Sequence, residues 1–528
     1  MLGSGSKFYQ KKIAVILLIS SYIFGLALFS GTIDAFVPKH IAYMLEISQR
    51  GIIIEGLSEQ NPAFYILGAM LINICNFSGF DLLFAPIQII PYLVILFALV
   101  YKISGNYILS AIIPMIDIFS EVTGTPKIYF WPHGIGTILL FTFLLLAIFL
   151  LLDSKKSGSV VISILFIGTS VIFISYNIAF IILLLLGLIC LLLITRDILL
   201  GNQLHITLKK QSHMTFLAVL LVMLIIQLGL SNFVYSFLFP NLQFVLYEDL
   251  SAYEKFIAKF LSPDLITNPM SIFLLSKPFS LIYLGLLKYA VVFSSIALCL
   301  INLTTNFIHS RKIEPLGIFI LSLLVTYSIF TLSRFFLLNQ GIMIIYFVLP
   351  GIFCLCILYR ERIRIGYPVR YFIVLSILVL LFVAPMSLYV NYDGGAMNTN
   401  LDRYASLQHA SKFYYDKDFE RIAISDEFTK NFFILTNGQN ALDLGAATQF
   451  EKDYYQYRVM KETEMLGLIK SKYDPFNEVT IIINYNLNTL SMQNWQTLKS
   501  WRFFQREIDS NMDINKVYSV SNVCVYIN

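Results

Sequence analysis

Charge is what this sequence has least of. Asp, Glu, Lys and Arg make up 13% of its 528 residues, where a soluble domain carries about 25%. Hydrophobic residues account for 57% and the mean hydropathy is +0.74. An ordinary soluble globular chain is excluded. The net charge of +5 is too small for a nucleic-acid surface and fits basic residues gathered in the loops on one side of a membrane. Cysteine is also scarce. Of six, Cys75, Cys190, Cys299, Cys354 and Cys356 lie in or beside apolar runs, and Cys524 stands alone in the polar tail. The tail therefore has no internal disulfide, no C-x-x-C metal pattern exists, and the cysteines read as small apolar fillers. There is no G-x-G-x-x-G and no P-loop, so soluble nucleotide sugars and ATP have no support as direct ligands. His409 is the tail's only histidine, which argues against a Ser or Cys hydrolase there. No internal repeat or low-complexity linker is visible.

What the chain has instead is long apolar runs. Stretches of roughly 18 or more apolar residues read as membrane spans, and their backbone must be helical because lipid offers no hydrogen-bond partners. Spans are expected near 13–30, 82–101, 106–118, 133–152, 160–175, 177–195, 214–231, 280–303, 314–332, 340–359 and 371–390, about eleven in all. The first run follows Lys7, Lys11 and Lys12, and its length marks it as an uncleaved anchor rather than a signal peptide. Residues 62–78 are apolar but short and read as a helix lying in the interface.

With 62–78 kept out of the membrane, the positive-inside rule gives one consistent topology. Lys7, Lys11, Lys12, Lys102, Lys155, Lys156, Arg196, Lys209, Lys210, Arg311, Lys312, Arg360, Arg362, Arg364 and Arg370 all fall on the cytoplasmic side. The expected protein is a multi-pass plasma-membrane protein with a cytoplasmic N-terminus. Loops 31–81, 119–132 and 232–279 face outward, as does the tail after Asn391.

The fold class expected is mainly α: a polytopic transmembrane bundle over 1–390, followed by a small extracytoplasmic α/β domain over 391–528. In the tail, Arg421–Ser425, Val479–Ile483 and Val517–Tyr526 have the pattern of strands, with helical stretches such as Asp453–Ile469 between them.

The first outer loop, 31–81, carries the most chemistry. Asp34 opens it just past the first span, where a carboxylate can act on a group held at the bilayer surface. His40, Tyr43 and Glu46 follow at helical spacing, with Ile41, Leu45 and Ile47 supplying an apolar face. Gly51 ends that helix and Pro62 starts a second. The pair reads as a helical hairpin lying on the outer leaflet.

This layout resembles the GT-C superfamily of membrane glycosyltransferases, in the manner of dolichyl-phosphate-mannose-protein mannosyltransferases. Four patches carry the resemblance. The first is Asp34 followed by an interfacial helix, a glycine turn and Asn61-Pro62-Ala63-Phe64-Tyr65. The second is Tyr129-Phe130-Trp131-Pro132-His133-Gly134, which looks like the W-P-x-x-x-G entry to the fourth span. The third is Arg334-Phe335-Phe336-Leu337 at an outer helix mouth. The fourth is the ending, Asn515-Lys516-Val517-Tyr518 through Val525-Tyr526. The resemblance covers most of the chain in layout and only short stretches in sequence.

The resemblance implies a polyprenyl-phosphate-linked sugar donor, a protein, lipid or glycan acceptor, and inverting transfer with Asp34 as general base. Arg334 is the first candidate for the donor phosphate, since a guanidinium pairs bidentately with phosphate oxygens and an Arg at a membrane edge is costly without a partner. His133, Lys127 and His40 are further candidates for donor phosphate or sugar, and Lys39 lies beside His40. Many relatives have a second acid in the second outer loop. Glu121 is nearest here, and Asp117 lies inside the preceding run. Neither sits in a D-x-D or D-N pair, so a divalent metal is left open without a D-x-D motif to support it, and the resemblance names no other cofactor. Glu55, Glu59, Glu248 and Asp249 are solvated loop acids by default. The chain lacks W-W-D-x-G and so does not look like the catalytic subunit of an oligosaccharyltransferase.

Three other readings compete. A transporter or flippase for lipid-linked sugars needs intramembrane charges and repeats, and Asp117 is nearly the only acid inside a span. A polysaccharide polymerase or ligase is expected to carry basic residues in its large outer loop, and 232–279 has only Lys255, Lys259 and Lys277. A structural anchor leaves the hairpin behind Asp34 unexplained.

Overall fold

The computed structural model describes residues 2–29, 37–52, 61–77, 82, 87–120, 130, 132–152, 157–200, 210–229, 279–310, 314–338, 347–361, 367–391, 401–416, 422–424, 432–433, 435–436, 479–484, 515–520 and 523–527. Each expected span has its helix: α1 Leu2–Phe29, α4 Ile89–Ser104, α5 Tyr107–Ser120, α6 Pro132–Leu152, α7 Ser157–Ile174, α8 Tyr176–Leu200, α9 Lys210–Gly229, α10 Phe279–Ser310, α11 Pro315–Leu338, α12 Val348–Glu361 and α13 Tyr367–Asn391. The remaining helices are α2 Val37–Arg50 and α3 Pro62–Cys75 in the first loop, and α14 Leu401–Asp416 in the tail. The protein is a helical membrane protein. Among the described residues, five helices (α1, α6, α8, α10 and α11) are long and apolar enough to cross a membrane. Helix α3 has 14 residues, as do α5 and α12, a rise of roughly 21 Å against a hydrocarbon core of about 30 Å.

Neighbouring helices in the bundle pack in sequence: α4 on α5, α6 on α7, α8 on α9. Longer-range pairings close the bundle: α1 on α5, α8 on α11, α10 on α12 and α13, and α13 on α5. Lipid is as apolar as leucine, so close packing holds such helices together rather than water exclusion. Gly136 and Gly351 show this. A Cβ on Gly136 would meet Ser175 Cβ at 2.7 Å, and one on Gly351 would meet Val292 Cγ1 at 2.6 Å.

The contacts define two opposite ends. At one end, Gly25 of α1 faces Ile89 of α4 and Ile118 of α5. At the other, Lys11 of α1 lies over the Tyr107 ring at 5.4 Å, and Lys102 lies over Phe149 at 4.0 Å. There too Asn106 Nδ2 donates to Tyr359 Oη at 2.8 Å, Arg360 reaches the Ile103 carbonyl at 3.4 Å, and Asn302 donates to Glu361. Lys11, Lys102 and Arg360 thus gather at one end.

The tail contains a four-stranded sheet, β1 Ile422–Ile424, β2 Val479–Asn484, β3 Asn515–Val520 and β4 Val523–Ile527, in the order β1-β2-β4-β3. β1 runs parallel to β2 and the other pairs are antiparallel. The expected strand over Val517–Tyr526 is two strands of a hairpin. Helix α14 packs on β3 and β4. Asp453–Ile469 lies outside the described residues. Cys190, Cys299, Cys354, Cys356 and Cys524 are buried as expected of apolar fillers, while Cys75 at the end of α3 is exposed.

Candidate functional site

The first loop folds as a helical hairpin. Helix α2 stops where Gly51 takes φ +71°, the left-handed conformation that glycine adopts without a Cβ penalty, and Gly51 N–H donates to the Ile47 carbonyl at 2.8 Å. Helix α3 opens on Pro62 at its first turn, where the missing N–H costs nothing. It ends on Asn76, also left-handed at φ 53°. The two helices pack on each other, and Ser48 Oγ donates to Asn73 Oδ1 at 2.5 Å.

The hairpin buries one face and leaves Ile66, Met70 and Ile74 of α3 exposed. Ile41 and Ile47 are buried, as the apolar face requires, but so are Ala42, Tyr43, Met44 and Glu46. The reason is a second apolar cluster, separate from the bundle core. It joins Ile41, Met44, Phe64 and Tyr65 of the hairpin to Phe130, Ile174 and the tail residues Leu407, Tyr414, Phe432, Phe433 and Val525. Phe64 and Phe130 have ring centroids 5.3 Å apart. The hairpin, the approach to α6, the α7–α8 joint and the tail therefore share one core.

Inside this cluster lies a polar pair. His40 Nδ1 and the Tyr65 hydroxyl are 2.6 Å apart. Tyr65 is fully buried and His40 half-buried. The Tyr43 ring stands 5.8 Å from that of Tyr65. Burial, with Tyr43 and Tyr176 adding to it, pushes the Tyr65 phenol well above its ordinary range, so it stays protonated. Burial, with Glu46 adding to it, raises Tyr43 as well. On the same helix, Glu46 lies 3.1 Å from Arg50. Burial raises the Glu46 carboxyl, and Arg50 offsets that in part.

Of the residues the sequence offers for catalysis or donor binding, His40 is the one with side-chain contacts given above. Asp34 lies outside the described residues, between Phe29 at the end of α1 and Val37 at the start of α2. Lys127, Glu121, Glu55, Glu59, Glu248 and Asp249 also lie outside them. Lys39 is in the first turn of α2, His133 in the first turn of α6 and Arg334 in the last turns of α11. Asp117 is buried in α5. Tyr65 was visible only as a letter of the Asn-Pro-Ala-Phe-Tyr patch. The signal for it was the pairing of two amphipathic helices, each carrying an aromatic or imidazole group on its inner face. Among the described residues, no group of three or more His, Cys, Asp or Glu could hold a metal ion.

No protein-family model matches this chain, and no curated protein sequence matches it. Among solved structures, it is similar to the archaeal oligosaccharyltransferase AglB from Archaeoglobus fulgidus in complex with an inhibitory peptide and a dolichol-phosphate. That likeness covers 94% of this chain and 72% of that one, with a TM-score of 0.48 and 11% identity.

Proposed function

We propose that the chain is an integral-membrane glycosyltransferase of the GT-C type. It moves a sugar from a polyprenyl-phosphate-linked donor to a hydroxyl of a protein, lipid or glycan acceptor, at the end of the bundle that carries the hairpin. The observation that carries this reading is the shared apolar core. It brings the Asn-Pro-Ala-Phe-Tyr helix, the Phe130 patch and the closing Val525-Tyr526 strand to one end of the helices, which is where a sugar held at a membrane surface would sit. Lys11, Lys102 and Arg360 gather at the opposite end, which supports a cytoplasmic assignment for that end by the positive-inside rule and an extracytoplasmic one for the hairpin and tail.

In the proposed step the acceptor oxygen attacks the anomeric carbon. The bond from that carbon to the phosphate oxygen breaks, the acceptor proton passes to Asp34, and the lipid phosphate leaves with the electron pair. Attack opposite the leaving group inverts the anomeric centre. Arg334, His133, Lys127 and His40 are the candidates for stabilising charge on the departing phosphate, and Glu121 is the candidate second acid.

A transporter or flippase of lipid-linked sugars is the second reading. The burial of Asp117 in α5 and Lys288 in α10 favours it, since ionisable groups inside spans often line a path. One experiment separates the two. Purified protein in lipid vesicles is given labelled polyprenyl-phosphate monosaccharides and an acceptor extract. Label in the acceptor supports the transferase. Label crossing the bilayer still attached to its lipid supports the transporter and removes the transferase reading.

A further inference from the structure

The corner where α1, α4 and α5 meet carries a graded strip of side chains. Lys11 of α1 is exposed, and its Nζ lies over the Tyr107 ring at 5.4 Å. Tyr107 stacks on Tyr101 with centroids 4.5 Å apart, and the two hydroxyls share a hydrogen bond. Tyr101 in turn faces Phe97, with centroids 6.3 Å apart and ring planes 5° from parallel. Phe97, Val94 and Ile90 continue the face of α4 on which Tyr101 lies, at steps of four, three and four residues, the spacing of one helix face. The three rings are half-buried, while Val94 and Ile90 are 56% and 54% exposed.

The strip has a rigid mount. Gly105 turns the chain between α4 and α5 at φ +69°, and its N–H donates to the Tyr101 carbonyl at 2.8 Å. Asn106 caps α5, its Oδ1 accepting from Leu109 N–H at 2.9 Å, and donates its amide to Tyr359 at 2.8 Å. Arg360 reaches the Ile103 carbonyl from the same end of α12. Tyr101 and Tyr107 stand on either side of this turn, so the turn sets their stack, whatever rests against it.

The order of chemistry along the strip is that of a phospholipid. A cation comes first, then phenolic hydroxyls of the kind that sit at headgroup level, then ring and aliphatic surface. From Tyr101 to Ile90 the helix rises roughly 16 Å, and one leaflet is half of a hydrocarbon core of about 30 Å. Charge favours an anion. Lys11, Lys12, Lys102 and Arg360 lie at this end, and the acid there, Glu361, accepts from Asn302. Among the described residues Lys11 makes no ion pair. We infer that this corner is a binding site for an anionic phospholipid of the leaflet at the Lys11 end: its phosphate pairs with Lys11 beside the tyrosine stack, and one acyl chain lies along Phe97, Val94 and Ile90. The site needs the helices to be in a membrane and does not rest on the transferase reading.

The test uses the full chain, purified in a neutral detergent and titrated with phosphatidylglycerol or phosphatidylcholine under native mass spectrometry. The wild type is expected to hold phosphatidylglycerol in preference to phosphatidylcholine. Lys11→Gln should weaken that binding roughly fivefold, the worth of one lysine beside an anionic surface, and Lys11→Arg should keep it. Lys12→Gln removes a charge one residue away, which lies over Phe8 at 4.5 Å, and should cost less. Equal losses in Lys11→Gln and Lys12→Gln would mean diffuse surface charge and overturn the site, as would no loss in Lys11→Gln. Inorganic phosphate should leave the lipid bound. Its displacing the lipid would reassign the corner to free phosphate.

The acyl part of the strip has its own readout. Val94→Trp is placed in phosphatidylcholine vesicles that contain phosphatidylglycerol with brominated chains, and the wild-type fluorescence is subtracted. The added tryptophan should be quenched beyond the mole fraction of brominated lipid, and adding Lys11→Gln should remove the excess. Quenching that only follows the bulk composition overturns the seat for the chain. Lys11 and Val94 are both exposed, so these variants are expected to fold, and thermal unfolding in phosphatidylcholine checks that they do. Sugar transfer is not a readout here, so a failure of the transferase reading leaves this test standing.

Discussion

Gly136 and Ser175 meet with no room for a methyl group between them. A Cβ on Gly136 would stand 2.7 Å from Ser175 Cβ and 3.1 Å from its Oγ. Ser175 is fully buried and is the single residue joining α7 to α8. It closes the last turn of one, bonding Val171 O at 2.8 Å, and opens the first turn of the other, bonded by Ala179 N at 2.9 Å. A side-chain carbon so close to the backbone cannot swing aside. Gly136→Ala should therefore lower stability by about 1–3 kcal/mol, the range for overpacking. Gly158→Ala, where nothing lies within 4 Å, should be neutral or slightly stabilising. Thermal unfolding of the two variants in the same detergent checks the contrast.

The hairpin turn gives a second prediction. Gly51 sits at φ +71°, and Asn76 already holds φ 53° at the end of the partner helix. Left-handed backbone costs a residue with a Cβ about 1–2 kcal/mol, and asparagine bears it better than alanine. Gly51→Ala should loosen the hairpin more than Gly51→Asn, as read by hydrogen exchange across α2 and α3.

Glu46 couples the hairpin to pH. Its carboxyl is raised above 4.5 by burial, an effect Arg50 reduces. The folded state therefore holds this proton more tightly than the unfolded chain, and its contribution to stability is full below the unfolded value and lost as pH climbs through the folded one. Glu46→Gln should stabilise the protein at neutral pH and flatten the dependence of Tm on pH above 4.5. A Tm profile that matches the wild type at every pH would contradict this.

The shared core predicts coupling over a long sequence distance. Phe64 is fully buried in a cluster that also holds Phe432, Phe433 and Val525. Phe64→Ala should cost roughly 3–5 kcal/mol and reduce exchange protection in α14 and β4 as well as in the hairpin. Protection lost in the hairpin alone would mean that the tail folds independently of it.

What the sequence disclosed and what it hid follow from the range of the forces involved. Apolar runs report the solvent around a single helix, so all eleven expected spans have helices, although the first helix starts 11 residues earlier than expected, at Leu2, and α4 and α12 start later, at Ile89 and Val348. Gly51 and Pro62 are local backbone chemistry, and both act where the sequence puts them. The run Val517–Tyr526 read as one strand because β3 and β4 share the same pattern and only two residues part them. The tail's seat on the hairpin could not be read. An apolar face on α2 states that something covers it, but the cover comes from Leu407 and Phe432, far along the chain. The His40–Tyr65 bond was hidden for the same reason: each residue is plain in its own helix, and the pair exists only once the helices meet.

The central claim is transfer from a lipid-phosphate sugar with a carboxylate base, and Asp34→Asn tests it most directly. Wild type and variant, matched for folding by thermal unfolding, would be compared for sugar transfer from labelled polyprenyl-phosphate monosaccharides. The account predicts transfer by the wild type and a loss of roughly 10²- to 10⁴-fold in the variant, the usual contribution of a general base. A folded Asp34→Asn protein that transfers sugar at the wild-type rate would contradict it.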